Sequence, residues 1–344
     1  MNPSATPFLS VVIPNHDGAA TIGACLEAVL ASEYADFEVV VVDDGSRDDS
    51  AAIIRRYPCR KIFLARQAGA SAARNAGAAA ARGEYIFFID ADCIVEPETL
   101  AAAARAARES GPEWIVGGTY TPRPYDPGFF SLFQSVFIHH FETKRLAEPD
   151  YVASHAMVIA AAVFRRSGGF PAEFLPIIED VEFSHRLRRL GYKMRMDPAI
   201  LVRHIFNYDL RRSLLNGWRK SRYWTIYSLL NRDLLSDSGT ASHELKINIV
   251  AFALTVGLLA APALLAALFP AAAGALLPAL LLPVLAVQGA NLLVQRKLLA
   301  AFGRAGGPGF ALAAGAYYAL LYPLPVGLGA LSGLLHHLRG RHGR

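Results

Sequence analysis

Apolar positions in the first third of the chain form short runs, most of which end in acidic or turn residues. Residues 9–14, 37–42, 61–65 and 84–89 are such runs, and they read as buried strands. Between the first two, residues 20–32 place Ile22, Leu26, Val29 and Leu30 on one helical face. Residues 48–57, 71–82 and 97–109 read as further helices. The last has Pro97 near its first turn, where a missing N–H costs little. Strands alternating with helices predict a parallel sheet built by right-handed crossovers.

The pattern loosens after Trp114-Ile115-Val116-Gly117-Gly118, which reads as another apolar run. Residues 121–150 form a proline-rich connection, a length typical of a functional loop. Residues 152–161 predict a strand, 162–168 a short helix and 181–190 a helix following Glu179-Asp180. Residues 192–196 and 200–205 predict two short strands.

Residues 209–230 interleave Trp218, Tyr223, Trp224 and Tyr227 with Arg211, Arg212, Arg219, Lys220 and Arg222. Two readings are open. One is a helix lying in a lipid head-group region, favoured because the segment leads toward apolar spans; the other is an ordinary amphipathic helix packed on the sheet. The spans are 247–269, 271–294 and 310–335, each above the roughly 20 apolar residues that cross a bilayer core. Pro270 predicts a hairpin between the first two. Arg296, Lys297 and Arg304 would hold the following loop on the cytoplasmic side. Pro323 and Pro325 split the last apolar segment, leaving a full crossing, a re-entrant segment and a second short hairpin open.

Charge sharpens this division. The 344-residue chain carries a formal net charge of +5, and its mean hydropathy is above zero. Lys246 is followed by no Asp, Glu, Lys or Arg until Arg296. The basic residues flank apolar spans rather than forming a face with stacking aromatics, so membrane lipids are the expected partner and nucleic acid is not. Cys25, Cys59 and Cys93 show neither metal spacing nor a disulfide framework, as fits a reducing compartment. The first ten residues lack a signal-peptide core. The expected organisation is a catalytic domain at 1–208, an interfacial helix and linker at 209–245, membrane helices at 246–338 and a basic tail at 339–344. The expected location is a bacterial plasma membrane, with the catalytic domain in the cytoplasm.

Two acidic pairs carry the chemistry. Asp90-Ala91-Asp92 ends the run at 84–89, and Asp43-Asp44-Gly45-Ser46 ends the run at 37–42. Open α/β sheets bind ligands at the carboxyl ends of their strands, and paired carboxylates suit a divalent cation that clamps a diphosphate. A single pair would also serve as turn or cap; two at neighbouring strand ends argue for a site.

Five ordered motifs resemble the inverting family 2 glycosyltransferases of GT-A fold. They are Val11-Val12-Ile13-Pro14-Asn15-His16-Asp17-Gly18, Val42-Asp43-Asp44-Gly45-Ser46, Ala73-Arg74-Asn75-Ala76-Gly77, Asp90-Ala91-Asp92, and Gly168-Gly169-Phe170 followed by Glu179-Asp180. Asp17 stands where that family more often has Asn, and His16 where Tyr is common. The resemblance implies a Rossmann-like α/β domain with a mixed, mostly parallel sheet, followed by an α-helical membrane domain. It implies a nucleotide-sugar donor, a lipid-linked acceptor (an undecaprenyl-linked saccharide or a glycolipid), and Mg2+ or Mn2+ as cofactor.

The resemblance also assigns roles. Pro14, Asp17, Asp43, Asp44, Arg74 and Asp90 would bind donor; Asp92, with Asp90 and His204, would hold the metal; Asp180, helped by Glu179, would be the catalytic base. Each residue type has its reason and its plainer alternative. Asp44 would accept the base's imide N–H, or else cap a turn. Arg74 would match a phosphate, or else pair with a carboxylate. Asp180 would take the acceptor proton, or else cap a helix. His204 is a ligand or a surface residue.

Residues 216–224 lack the Gln-x-x-Arg-Trp motif of processive synthases, which implies single addition, with Trp218 and Arg222 near the acceptor or diphosphate. Two rivals stand beside this reading: a nucleotidyltransferase that makes nucleotide-sugars, and an inactive membrane scaffold. The first would want a Gly-rich basic loop where the chain has Pro14-Asn15-His16-Asp17-Gly18.

Overall fold

The computed structural model describes residues 8–172, 175–268 and 273–341, without the side chains of 261–280. The expected hairpin turn at Pro270, residues 1–7 and the last three residues of the basic tail lie outside the described residues. The chain divides into two units, Met1–Tyr208 and Asp209–Arg344.

The first unit opens with β1 (Leu9–Asn15), α1 (Ile22–Leu30), β2 (Phe37–Asp43), α2 (Ser50–Ile54), β3 (Arg60–Phe63), α3 (Ala70–Ala80) and β4 (Tyr85–Ile89). It continues with β5 (Cys93–Val95), α4 (Thr99–Ser110), β6 (Trp114–Tyr120), α5 (Phe129–Glu142), β7 (Ala156–Ala160), α6 (Ala161–Arg166), α7 (Glu179–Arg189) and β8 (Lys193–His204). Among the described residues these make one eight-stranded sheet ordered β3-β2-β1-β4-β7-β6-β8-β5. Parallel pairing joins β3, β2, β1 and β4, and joins β6 to β8. Only β7 and β5 run against the rest. The mixed, mostly parallel α/β sheet expected from the sequence is therefore present.

The apolar runs became strands because both sheet faces are covered: Val11, Val12, Ile13, Val40, Val41, Phe87 and Phe88 are all fully buried, as solid apolar strands of parallel sheets require. Phe88 packs 5.2 Å from Phe164 and 5.2 Å from Phe170, which lies 4.7 Å from Phe183. This aromatic cluster fastens α7 to the sheet, and with it the acidic residues of its first turn. On the other half, Gly77 of α3 faces Val12 so closely that a Cβ there would collide with the valine. The small residue lets α3 settle on β1.

Three expectations are corrected. Residues 121–150 are not one loop: Phe129–Glu142 is α5, with Phe133, Val136, Phe137 and Phe141 buried. The two short strands at 192–196 and 200–205 are one, β8, whose pairing with β6 shifts register between Gly117 and Thr119. The loop expected after Arg296 is helical.

The second unit comprises α8 (Leu210–Asn231), α9 (His243–Leu268), α10 (Ala273–Val294), α11 (Arg296–Leu320) and α12 (Pro323–Arg341). Asp209 caps α8 by accepting the Arg212 N–H. Gly307 at φ +81, followed by Pro308, kinks α11. The last apolar segment, 310–335, is broken between Leu320 and Pro323, as its prolines foreshadowed. Two stretches of described helix, His243–Ala260 and Arg296–Gly340, are long and apolar enough to cross a membrane.

Inside this apolar unit runs a ladder of amides. Asn248 donates to the Tyr318 carbonyl at 2.7 Å and accepts from Asn291 at 2.8 Å. Gln295 donates to the Glu244 carbonyl at 2.8 Å, and Gln288 to the Thr255 hydroxyl at 2.8 Å. Amide N–H groups that would be costly unpaired in an apolar setting thus find acceptors between helices.

Candidate active site

The site grows from the ends of β1, β2 and β4. Asp43, at the end of β2, accepts from Asn15 at 2.9 Å and from the Ser46 hydroxyl at 2.6 Å. Asp17, in left-handed backbone at φ +48, accepts the Arg47 N–H at 2.7 Å. These bonds brace the Pro14–Gly18 loop against the turn after β2. Asp44 accepts the backbone N–H of Ala68 at 2.7 Å and of Gly69 at 2.8 Å. It therefore ties the β2 end to the entry of α3.

Helix α3 in turn aims Arg74. Its guanidinium donates to Asp90 at 2.7 Å and to Glu179 at 2.7 Å, and the Arg74 side chain is 5% exposed. Of the two readings of Arg74, the structure shows the ion pair. Burial alone would lower its pKa, but the charges of Asp90 and Glu179 outweigh that and raise it. Burial likewise pushes Asp90 up, yet Arg74, then His155, hold its carboxyl below the ordinary range.

Glu179 and Asp180 open α7. Ile178, just before them, sits at φ +81, a region a β-branched residue rarely enters, so strain borders the acidic pair. Asp180 accepts the Ser154 N–H at 3.3 Å. Burial, then the neighbouring charge of Glu179, raise its carboxyl to about 6, with Arg74 opposing.

At the far side, Asp92 Oδ2 lies 3.4 Å from His204 Nε2. His204 is not a surface residue: its ring stacks on Phe206 at 4.0 Å and meets Tyr120 edge-on at 5.0 Å. One donor atom each from Asp92, Cys93 and His204 lies within 4.8 Å of the others. Donors on one tetrahedral ion stand about 3.3–3.8 Å apart, so side-chain shifts of about an ångström would close this set on a divalent cation.

Sequence reasoning missed several residues here. Ile89 pairs with Ala156, so Asp90 and His155 leave the sheet at the same edge. His155 stacks on Tyr120 at 4.0 Å, and its Nε2 lies 3.4 Å from Glu142. Burial would lower its pKa, but Glu142, with Asp90 and Asp180, raises it. A hint existed: Ser154-His155 is a polar interruption at the start of an apolar run. Cys93 followed Asp92 directly but showed no metal spacing. Trp218 and Arg222 belong to the second unit, where the Arg222 guanidinium lies 5.5 Å from the Trp218 ring centroid.

A curled, mostly parallel sheet with an acidic strand end, a compact donor set and a half-buried acidic helix start defines a GT-A-like α/β domain. A family model described as Glycosyl transferase family 2 matches residues 10–168. Glycosyltransferase AglE of Haloferax volcanii is 35% identical over 208 residues, 58% of this chain and 68% of AglE. The chain belongs to glycosyl transferase family 2. Glycosyltransferase GlyG of Streptococcus pneumoniae serotype 4 is 29% identical over 128 residues, 36% of this chain and 42% of GlyG. The chain spans less than two thirds of the first curated relatives it matches: 42%, 63% and 31% of their lengths. Among solved structures, mannosyltransferase PcManGT from Pyrobaculum calidifontis, in complex with GDP-Man and Mn2+, covers 98% of this chain and 89% of its own, with TM-score 0.57 and 18% identity. That likeness is one of fold.

Proposed function

We propose that this chain is a membrane-anchored, non-processive inverting glycosyltransferase. It moves one sugar from a nucleotide-sugar to a lipid-linked acceptor or glycolipid at the cytoplasmic face of a bacterial plasma membrane, as in cell-envelope polysaccharide or glycolipid synthesis. One observation carries this reading: a single guanidinium, Arg74, joins Asp90 of the strand-end acidic triplet to Glu179 of the acidic helix start. Donor-side and acceptor-side carboxylates therefore share one site.

Asp180 is the base. It takes the acceptor hydroxyl's proton as that oxygen attacks the anomeric carbon from the face opposite the diphosphate. A carboxyl raised to about 6 is ionised at neutral pH yet basic enough to help. Burial, and then the charge of Glu179, keep it raised, and Glu179 is itself held by Arg74. The ionised carboxylates also favour the positive charge that develops on the sugar ring. Pro14, Asp17, Asp43 and Asp44 shape the donor end, where Asp44 combines bracing of α3 with reading of the base. Asp92 and His204, with Asp90 beside them, would hold Mg2+ or Mn2+, which when bound neutralises charge on the departing diphosphate. The Pyrobaculum mannosyltransferase of like fold, in complex with GDP-Man and Mn2+, supports a nucleotide-sugar donor and a divalent ion.

Anchoring rests on the second unit. Leu254, Leu259, Leu282, Leu285 and Leu312 are exposed on its helices, a surface that water disfavours and lipid does not. Residues 1–208 are the catalytic part, 209–245 the interfacial helix and linker, 246–338 the membrane part and 339–344 a basic tail. The aromatic and basic face of α8 then lies at head-group level, with Trp218 and Arg222 offered to the acceptor or its diphosphate.

The test is the full chain in nanodiscs, given a panel of nucleotide-sugars with Mn2+ and a lipid-linked acceptor. Nucleoside diphosphate release from one donor is expected. Pyrophosphate release from a nucleoside triphosphate and a sugar 1-phosphate, supplied in a parallel assay, would instead make it a nucleotidyltransferase; no turnover in either assay would leave the scaffold reading.

A further inference from the structure

The transfer reaction as derived makes no use of Cys93, yet its thiol belongs to the compact donor cluster. Cys93 opens β5 and pairs in register with His204 on β8. Its Sγ lies 3.9 Å from Asp92 Oδ1, and the other carboxylate oxygen lies 3.4 Å from His204 Nε2. Neighbouring residues of a strand point to opposite faces. Asp92, however, sits in the turn before β5, which lets both side chains reach one point. The cluster is wet at one end and dry at the other: the Asp92 side chain is 41% exposed, that of His204 14%, and Cys93 0%. Cys25, also buried, is engaged elsewhere, with its Sγ 3.7 Å from the Asp90 carbonyl.

We propose that Cys93 Sγ is a third protein donor to the divalent cation at Asp92 and His204, making a carboxylate–imidazole–thiolate site that favours Co2+ and Zn2+ over Mg2+. The inference rests on the reading that Asp92 and His204 hold a cation. A thiolate selects borderline and soft cations, whereas carboxylate and water alone suit Mg2+ and Mn2+. As the metal–sulfur bond forms, the S–H bond breaks and its proton passes to solvent; no oxidation state changes. Water or a diphosphate oxygen completes the coordination from the exposed Asp92 side.

The experiment is titration of metal-free full chain in detergent with Co2+, read by absorption. A sulfur-to-cobalt charge-transfer band in the near ultraviolet is expected, at one equivalent. The Cys25→Ser, Cys59→Ser double variant keeps it. Cys93→Ser loses the band and weakens Co2+ binding by roughly tenfold or more, with a much smaller change for Mn2+ followed by electron paramagnetic resonance. The wild-type spectrum decides even if Cys93→Ser does not fold: Co2+ bound without the band overturns the proposal. Asp92→Asn and His204→Ala separate the two readings. If they abolish Co2+ binding while the wild type shows no band, only the role of Cys93 falls. If they leave Co2+ and Mn2+ binding unchanged, the cation site falls with it.

Discussion

Arg74 and Glu179 stand 105 positions apart in sequence and form a 2.7 Å ion pair, while the same guanidinium holds Asp90 at 2.7 Å. The planar fork of arginine can serve both carboxylates at once; a lysine ammonium is a single point on a flexible stem. Removing the cation strands two partly buried anions. Arg74→Met should therefore lower stability toward the low end of about 3–5 kcal/mol, because the Asp90 side chain keeps 29% exposure. Arg74→Lys should recover part of that stability and little of the transfer rate. Chemical denaturation of both variants, with sugar transfer measured in parallel, checks this; a neutral Arg74→Met would mean the pair organises nothing.

Asp180→Asn should abolish transfer while leaving donor affinity close to wild type, since the amide keeps the shape but cannot take a proton. In the wild type, kcat/KM should rise with pH through about 6, where the Asp180 carboxyl ionises. Initial rates between pH 4.5 and 8 and donor binding by calorimetry separate the roles. Collapse of donor affinity in Asp180→Asn would make Asp180 a binding residue.

The same raised carboxyl has a consequence for stability. Folding raises Asp180 from 3.8 to about 6, so the folded chain binds the extra proton more tightly than the unfolded one. Its contribution to stability is fully present below about 4 and is lost as pH rises through about 6. Asp180→Asn lacks this loss. The variant should match the wild type near pH 4 and be the more stable of the two at pH 7.5, in full-chain thermal unfolding. The reverse ordering would show that the ionised Asp180 is stabilised, chiefly by Arg74.

Strand ends were legible because solid apolar runs stop at Asp43 and Asp90, and polarity changes abruptly there. Helix α5 was not, because its polar positions do not mark a solvent face: Ser131, Gln134, Ser135 and Glu142 are buried along with Phe133, Phe137 and Phe141. Residues brought in by strand pairing were hidden for another reason. His155 and Cys93 owe their place to the register of β7 with β4 and of β5 with β8, and register between distant segments leaves no local mark. Within the second unit the amide ladder went unseen because Asn and Gln do not interrupt a charge-free stretch.

Asp44 offers a way to separate bracing from recognition. Its carboxylate accepts two backbone N–H groups at the entry of α3, and hydrogen bonds to a charged acceptor are worth about 1.5–3 kcal/mol. Asp44→Ala should lower the stability of the donor-free chain by an amount of that order and also reduce the thermal shift produced by the donor. If Asp44 only read the base, the donor-free chain would unfold at the wild-type temperature and the shift alone would shrink.

Helices α8 and α12 meet through glycine. A Cβ at Gly329 would collide with the Trp218 carbonyl and the Ser221 hydroxyl, and one at Gly333 would crowd the Arg222 carbonyl and Thr225. Small residues four apart allow such backbone contact, which drives helix association where lipid removes the hydrophobic drive. Gly329→Leu puts its bulk against a main-chain carbonyl, which cannot rotate aside as a side chain would. The helices must separate, and the packing around Gly217, which faces Tyr322 and Val326, must open with them. Overpacking of this kind costs about 1–3 kcal/mol. Gly329→Leu should unfold at a lower temperature in detergent, whereas Leu328→Ala, at an exposed position one residue earlier, should not. Equal stability of the Gly329→Leu chain and the wild type would show that close approach of α8 and α12 is dispensable.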